Sequence, residues 1–136
     1  MRLIIDTNVF VSGIFFSGPP YQIMDAWRHG EVSLIVSPDI LEEYQRVGDE
    51  LANRYRGMEL KPWIELLVIK ATLVDAPPLA DNVCVDHDDD KFLACALASK
   101  TKIISSADKH LLDVSGYHGI RILKPRAFVD QYLKKR

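Results

Sequence analysis

The chain has 136 residues, 48% of them hydrophobic and 26% charged, and a formal net charge of −2. That length suits one domain with a respectable core, and the balance excludes a disordered chain or a protein that coats nucleic acid by charge alone. A nucleic-acid enzyme is not excluded, because clustered site carboxylates lower the total while basic residues elsewhere hold phosphates.

No repeat, low-complexity tract or Gly/Ser linker marks a boundary, so residues 1–136 read as a single domain. RLII (2–5) is a short buried strand, and Asp6 interrupts the opening RLIIDTNVF too soon for a signal peptide or membrane span. SGPP (17–20) leads into a helix over 20–29, and VSLIV (32–36) is the second strand. Ser37-Pro38-Asp39 then starts a helix with a capping hydroxyl, a proline in the first turn and an acid facing the dipole. That helix is predicted to run to about Asn53, followed by a helix over WIELLVIKA (63–71) and a weaker strand at TLVD (72–75). FLACALAS (92–99) is apolar on nearly every face, which predicts a buried helix. KIISS (102–106) is a strand, ADKHLLDV (107–114) a short helix and RIL (121–123) the last strand, and Pro125 opens a closing amphipathic helix. Short apolar strands alternating with helices predict a parallel sheet covered on both faces, a three-layer α/β/α sandwich. Cys84 and Cys95 lie in apolar settings without metal-ligand spacing and read as reduced core residues of a cytoplasmic protein with no membrane span. Trp27, Trp63 and Tyr55 are large apolar residues that so small a chain is not expected to bury completely, which points to a homodimer.

The acids are distributed in a way that capping alone does not explain. VDHDDDKF (85–92) places Asp86, Asp88, Asp89 and Asp90 just ahead of an apolar helix. Asp6 follows the first strand directly and Asp108 comes just after KIISS, so both sit at carboxyl ends of parallel strands, where open α/β sheets hold their sites. Each alone has an ordinary explanation, a turn for Asp6 and a helix cap for Asp108. In the helix after Ser37, Ile40, Tyr44, Val47 and Leu51 form the buried stripe. Glu42 then points to solvent, whereas Glu43 lies on the flank of the stripe and can reach a cleft. A calcium loop starting at Asp86 fails, because Lys91 and Leu97 stand where a glycine and a glutamate are needed. An aspartyl-phosphate phosphatase fails as well, since Asp6 is followed by Thr7-Asn8 and not by a second acid two residues on. The paired acids of a receiver domain are also absent. A divalent cation accounts for acids converging from Asp6, Glu43, the 86–90 cluster and Asp108, because it turns their repulsion into coordination. His29, His87, His110 and His118 are scattered without a partner pattern.

Four segments in order, IIDTNVFVSG (4–13), SPDILEEYQRV (37–47), VDHDDDKFLACALA (85–98) and IISSADKHLL (103–112), resemble a PIN domain. This is the nuclease fold of bacterial and archaeal toxin–antitoxin toxins of the VapC-like kind. Each motif is short and weak alone; four in register across almost the whole chain are specific. The resemblance implies an acidic metal-binding set of Asp6, Glu43, Asp108 and an aspartate of the third motif. The family's spacing to the small residue Ala96 selects Asp89, with Asp90 the alternative. It further implies Asn8 and Ser106 as polar helpers and Asp86 as a supporting acid for a second metal. His87 stands where proline is usual, and Ser105-Ser106 replaces a more usual Val-Thr, but neither departure removes a carboxylate. The implied activity is a Mg²⁺- or Mn²⁺-dependent endoribonuclease, the toxin partner of a small antitoxin protein, acting on an RNA substrate. Phosphodiester hydrolysis independently suits such residues, because it needs an activated water and neutralised phosphate charge. The alternatives are a catalytically silent PIN-fold module that binds RNA or protein, and another metal-dependent phosphohydrolase. Arg46, Arg54, Arg56, Lys61, Lys91, Lys109 and the tail Lys134-Lys135-Arg136 are the candidate phosphate-holding residues.

Overall fold

The computed structural model describes residues 1–55 and 59–133. Strand β1 (Arg2–Ile5) buries Leu3, Ile4 and Ile5, and β2 (Ser33–Val36) buries Leu34, Ile35 and Val36. Such apolar runs, without alternation, are what a strand covered on both faces requires. With β3 (Thr72–Leu73), β4 (Ile103–Ser105) and β5 (Arg121–Leu123) they form a five-stranded sheet in the order β3-β2-β1-β4-β5, parallel throughout. Helices α1 (Thr7–Phe15), α2 (Pro19–Arg28), α3 (Pro38–Arg54), α4 (Lys61–Lys70), α5 (Asp90–Ser99), α6 (Lys109–Leu112) and α7 (Pro125–Tyr132) flank it. The architecture is the expected α/β/α sandwich.

The start of α3 follows its sequence: Ser37 Oγ accepts the Ile40 N–H at 3.3 Å, Pro38 occupies the first helical position and Asp39 the first turn. The apolar α5 buries Phe92, Leu93, Ala94, Cys95 and Ala96, and lies against β1, β2 and β4. Both cysteines are free and buried, with thiols pushed up to about 12 by burial, in keeping with reduced core residues.

Helix α1 was not expected from the sequence. TNVFVSGIF carries β-branched residues and a glycine, so its intrinsic helix propensity is weak. Two other effects form it: Asp6 caps the first turn, and Val9, Phe10, Val11 and Phe15 are buried against the core. Gly13 permits the close crossing of α1 over the start of α2, since a Cβ there would stand 2.7 Å from the Pro20 carbonyl oxygen. Of the apolar residues expected to stay incompletely buried, Trp27 needs correcting. Trp27 is completely buried, and Trp63 is partly covered, with the Arg28 guanidinium 5.4 Å from its ring centroid. Tyr55 is exposed as expected and meets Phe16 edge-on. Among the described residues no helix is long and apolar enough to cross a membrane.

The sheet order places the site. Because β1 is central, its carboxyl end abuts that of β4, with Ile5 in register with Ser105 and the Asp6 N–H donating to the Ser105 carbonyl at 3.1 Å. Residues immediately after the two strands therefore meet, although about a hundred positions separate them.

Candidate active site

Asp6 serves as a cap and a site residue at once. Its Oδ1 accepts the Val9 N–H at 2.8 Å, while Oδ2 accepts a hydrogen bond from the Ser106 hydroxyl. The Ser106 oxygen in turn accepts the Asp108 N–H at 2.9 Å, and Asp108 Oδ1 caps α6 by accepting the His110 N–H at 2.8 Å. One buried hydroxyl thus ties together the two strand-end aspartates. Burial is the main reason the Asp6 carboxyl is pushed up from 3.8 to about 6; Ser106 and Val9 oppose the rise, and Asp108 and Glu43 add to it.

Glu43 is brought to the same place by α3. The neighbouring Tyr44 is wholly buried, stacks on Phe10 with ring centroids 4.3 Å apart, and donates its hydroxyl hydrogen to the Ile5 carbonyl. That contact pins α3 to the end of β1. Glu43 then accepts from the Thr7 hydroxyl through Oε2 and from the Lys91 ammonium through Oε1, the latter at 2.8 Å. Glu42 lies in solvent, paired with Arg46 at 3.4 Å, as the helical geometry predicts.

The third motif separates its aspartates by function in the fold. Asp90 accepts the N–H groups of Val83 at 3.1 Å and Cys84 at 2.7 Å, so both its oxygens secure the preceding loop. Burial would push its carboxyl up, but those hydrogen bonds outweigh it and hold the group lowered. Asp89 is the residue that faces the acids. Its carboxyl is pushed up to about 7, first by burial and then by Asp108, Asp86 and Asp6. Its Oδ2 is buried with no hydrogen-bond partner. Asp88 lies against Lys91, 3.1 Å from its ammonium, and Glu43 and Lys91 hold its carboxyl below the usual value.

Asp6, Asn8, Glu43, Asp89 and Asp108 line one open concavity of about 260 Å³, together with Thr7, Arg46 and Asp88 over an apolar floor of Val47 and Phe92. Ser106 stands behind it, buried. Asp86 lies at a different edge: it caps the 3-10 turn His87–Asp89 and offers a ligand atom within 4.8 Å of one from Asp89 and one from His110. Sequence reasoning passed over His110, although its position two residues after Asp108, in the first turn of α6, was the available signal. Thr7 was passed over as well. Of the basic candidates, Arg46 reaches the concavity, whereas Lys91 is committed to Glu43 and Asp88. Arg54, Lys61 and Lys109 are exposed away from it, and Arg56 and the tail at 134–136 lie outside the described residues.

The donor set fits a divalent cation. Its carboxylate oxygens are ligands of the kind that hard divalent cations take. The buried Asp89 oxygen that lacks a hydrogen-bond partner is one that a ligated ion would satisfy. The burial that chiefly raises Asp6 and Asp89, and the mutual repulsion that adds to it, would be offset by the same ion.

Three likenesses to known proteins accompany this geometry. The family model of the PIN domain matches residues 2–110. An uncharacterized protein of Methanocaldococcus jannaschii is 30% identical over 147 residues, an alignment covering 98% of this chain and 93% of the relative. In structure the chain is similar to one in the crystal structure of VapBC2 from Rickettsia felis bound to a DNA fragment from their promoter. That superposition has a TM-score of 0.58 at 12% identity and covers 91% of this chain and 98% of the other, a likeness of fold.

Proposed function

Given that the chain belongs to the PIN domain family, we propose that it is a Mg²⁺- or Mn²⁺-dependent endoribonuclease and the toxin of a toxin–antitoxin pair. One observation carries the reading: Asp6, Glu43, Asp89 and Asp108, drawn from four separate segments, line a single concavity at the carboxyl edge of the sheet. A protein that only bound RNA would have no need to crowd carboxylates where phosphates must approach.

The bound cation would supply an activated water and neutralise phosphate charge. Asp6 and Asp108 would be its principal ligands, with Asp89 and Glu43 completing the shell directly or through water. Ser106 fixes the orientation of Asp6 and, through the Asp108 N–H, of the loop that carries the second ligand. Thr7 and Lys91 hold Glu43 in its rotamer. Arg46 at the rim provides a guanidinium for the substrate backbone. The likeness to a VapBC2 chain supports an antitoxin partner encoded beside this chain.

Purified wild type should cut RNA internally with Mn²⁺, and chelation should stop it. Asp6→Asn should be inactive. The matched control is Glu65→Gln, an exposed acid on α4 outside the concavity. Asp88, an obvious control from family spacing, is unsuitable because it lines the wall of the site. Equal cleavage by all three proteins would expose a contaminant or a wrong site, and a folded, metal-loaded wild type that cuts no RNA would reject the nuclease. Co-purification with the product of the adjacent small gene tests the partner.

A further inference from the structure

The acids around the concavity do not share one electrostatic environment. On one side, both oxygens of Glu43 are engaged, Oε2 by Thr7 and Oε1 by the Lys91 ammonium at 2.8 Å. The same ammonium stands 3.1 Å from Asp88 Oδ1, and Arg46 approaches Glu43 at 3.8 Å. The side chains of Lys91 and Glu43 are only 14% and 11% exposed, so this is not a solvent-screened surface pair of negligible worth. On the other side, Asp6 accepts only neutral N–H and O–H donors, Asp108 caps α6 and has the His110 imidazole 3.9 Å away, and Asp89 Oδ2 is buried without a hydrogen-bond partner. Among the described residues no lysine or arginine pairs with Asp6, Asp89 or Asp108.

We propose that Lys91 is a built-in cation of the site, its ammonium filling the position at Glu43 and Asp88 that a second divalent ion would need. The chain therefore holds one divalent ion, on the Asp6–Asp89–Asp108 side, and carries the other positive charge as a side chain. The inference rests on the cation site proposed above. The arrangement follows from chain geometry. Lys91 sits in the first turn of α5, three residues beyond Asp88, and its ammonium reaches Glu43 on α3. An ammonium is a compact charge with three N–H donors, suited to bridging two carboxylates that do not chelate it. Lys91 is thus a positioning residue: it orients Glu43 and sets how many metal ions the acids accept.

The test is a calorimetric titration of the metal-free full chain with Mn²⁺ alone, with thermal unfolding to confirm folding. Wild type should take up one Mn²⁺ per chain. Lys91→Gln and Lys91→Met, which free Glu43 and Asp88, should take up two, the second more weakly. A lysine that mattered only for packing would lower the melting temperature without changing the count. Two ions on wild type, including a second at the Asp86–Asp89–His110 edge, would overturn the assignment, as would a count of one on folded Lys91→Gln. Wild type that binds no Mn²⁺ would instead sink the cation site itself. The wild-type count decides even where a variant fails to fold.

Discussion

Burial lets folded Asp6 keep its proton to about pH 6, whereas the ordinary carboxyl releases it near 3.8. Between those values the folded chain binds more protons than the unfolded one, so the metal-free protein loses stability as pH rises through that window. Asp89, pushed up to about 7 mainly by burial and Asp108, extends the decline toward neutrality. Thermal unfolding in chelator should therefore show a melting temperature that falls from acid toward neutral pH, and a rising profile would contradict the crowding. Asp6→Asn removes the offending ionisation. It should stabilise the metal-free chain at neutral pH by up to about 3 kcal/mol, from roughly two pKa units at about 1.4 kcal/mol each, while abolishing cleavage. Lost stability would instead show that the hydrogen bonds Asp6 makes to Val9 and Ser106 outweigh the cost of its buried charge. Ser106→Ala tests the support behind the acids: losing the hydroxyl that joins Asp6 to Asp108 should weaken Mn²⁺ binding about 10–100-fold. Glu43 was legible in the sequence because helical periodicity alone turns it toward the cleft. Its partners were not, since Thr7 and Lys91 lie 36 and 48 residues away and no local pattern encodes such pairings.

At the scale of elements, strands and capped helices were readable wherever local chemistry and burial agreed. β1, β2 and α3 announce themselves through apolar runs and the Ser37-Pro38-Asp39 start. α1 stayed hidden because its helix exists by tertiary burial and one cap, against weak propensity. The fold then demands Gly13 for the α1–α2 crossing, where exposed helices would prefer alanine. Gly13→Ala should cost about 1–3 kcal/mol, because the obstructing Pro20 carbonyl is backbone and cannot rotate away. Chemical denaturation measures it, and a neutral or stabilising result would mean that the two helices are not so closely packed. The variant also displaces the helix whose first turn carries Thr7 and Asn8, so Mn²⁺ affinity should weaken alongside stability.

For the whole molecule, the reasons for expecting a homodimer have moved. Trp27 belongs to the core, but Val68 and Ile69 at the end of α4 and Leu73 on edge strand β3 are exposed. A second copy covering these residues would remove them from water. Light scattering should give twice the single-chain mass at micromolar concentration, and Ile69→Glu should restore the single-chain value; a wild-type monomer ends the idea. The parallel sheet was legible because strands and helices alternate, whereas the strand order was not, because register across β1 and β4 depends on contacts between distant residues. That same pairing governs when the acids can work together during synthesis. A ribosome emits Asp6, Glu43 and Asp89 well before β4, and the hydroxyl that orients Asp6 comes a hundred residues after it. Closure of so long a loop belongs late in folding. A nascent chain stopped short of Ser105 thus carries three of the four acids without the strand that aligns them.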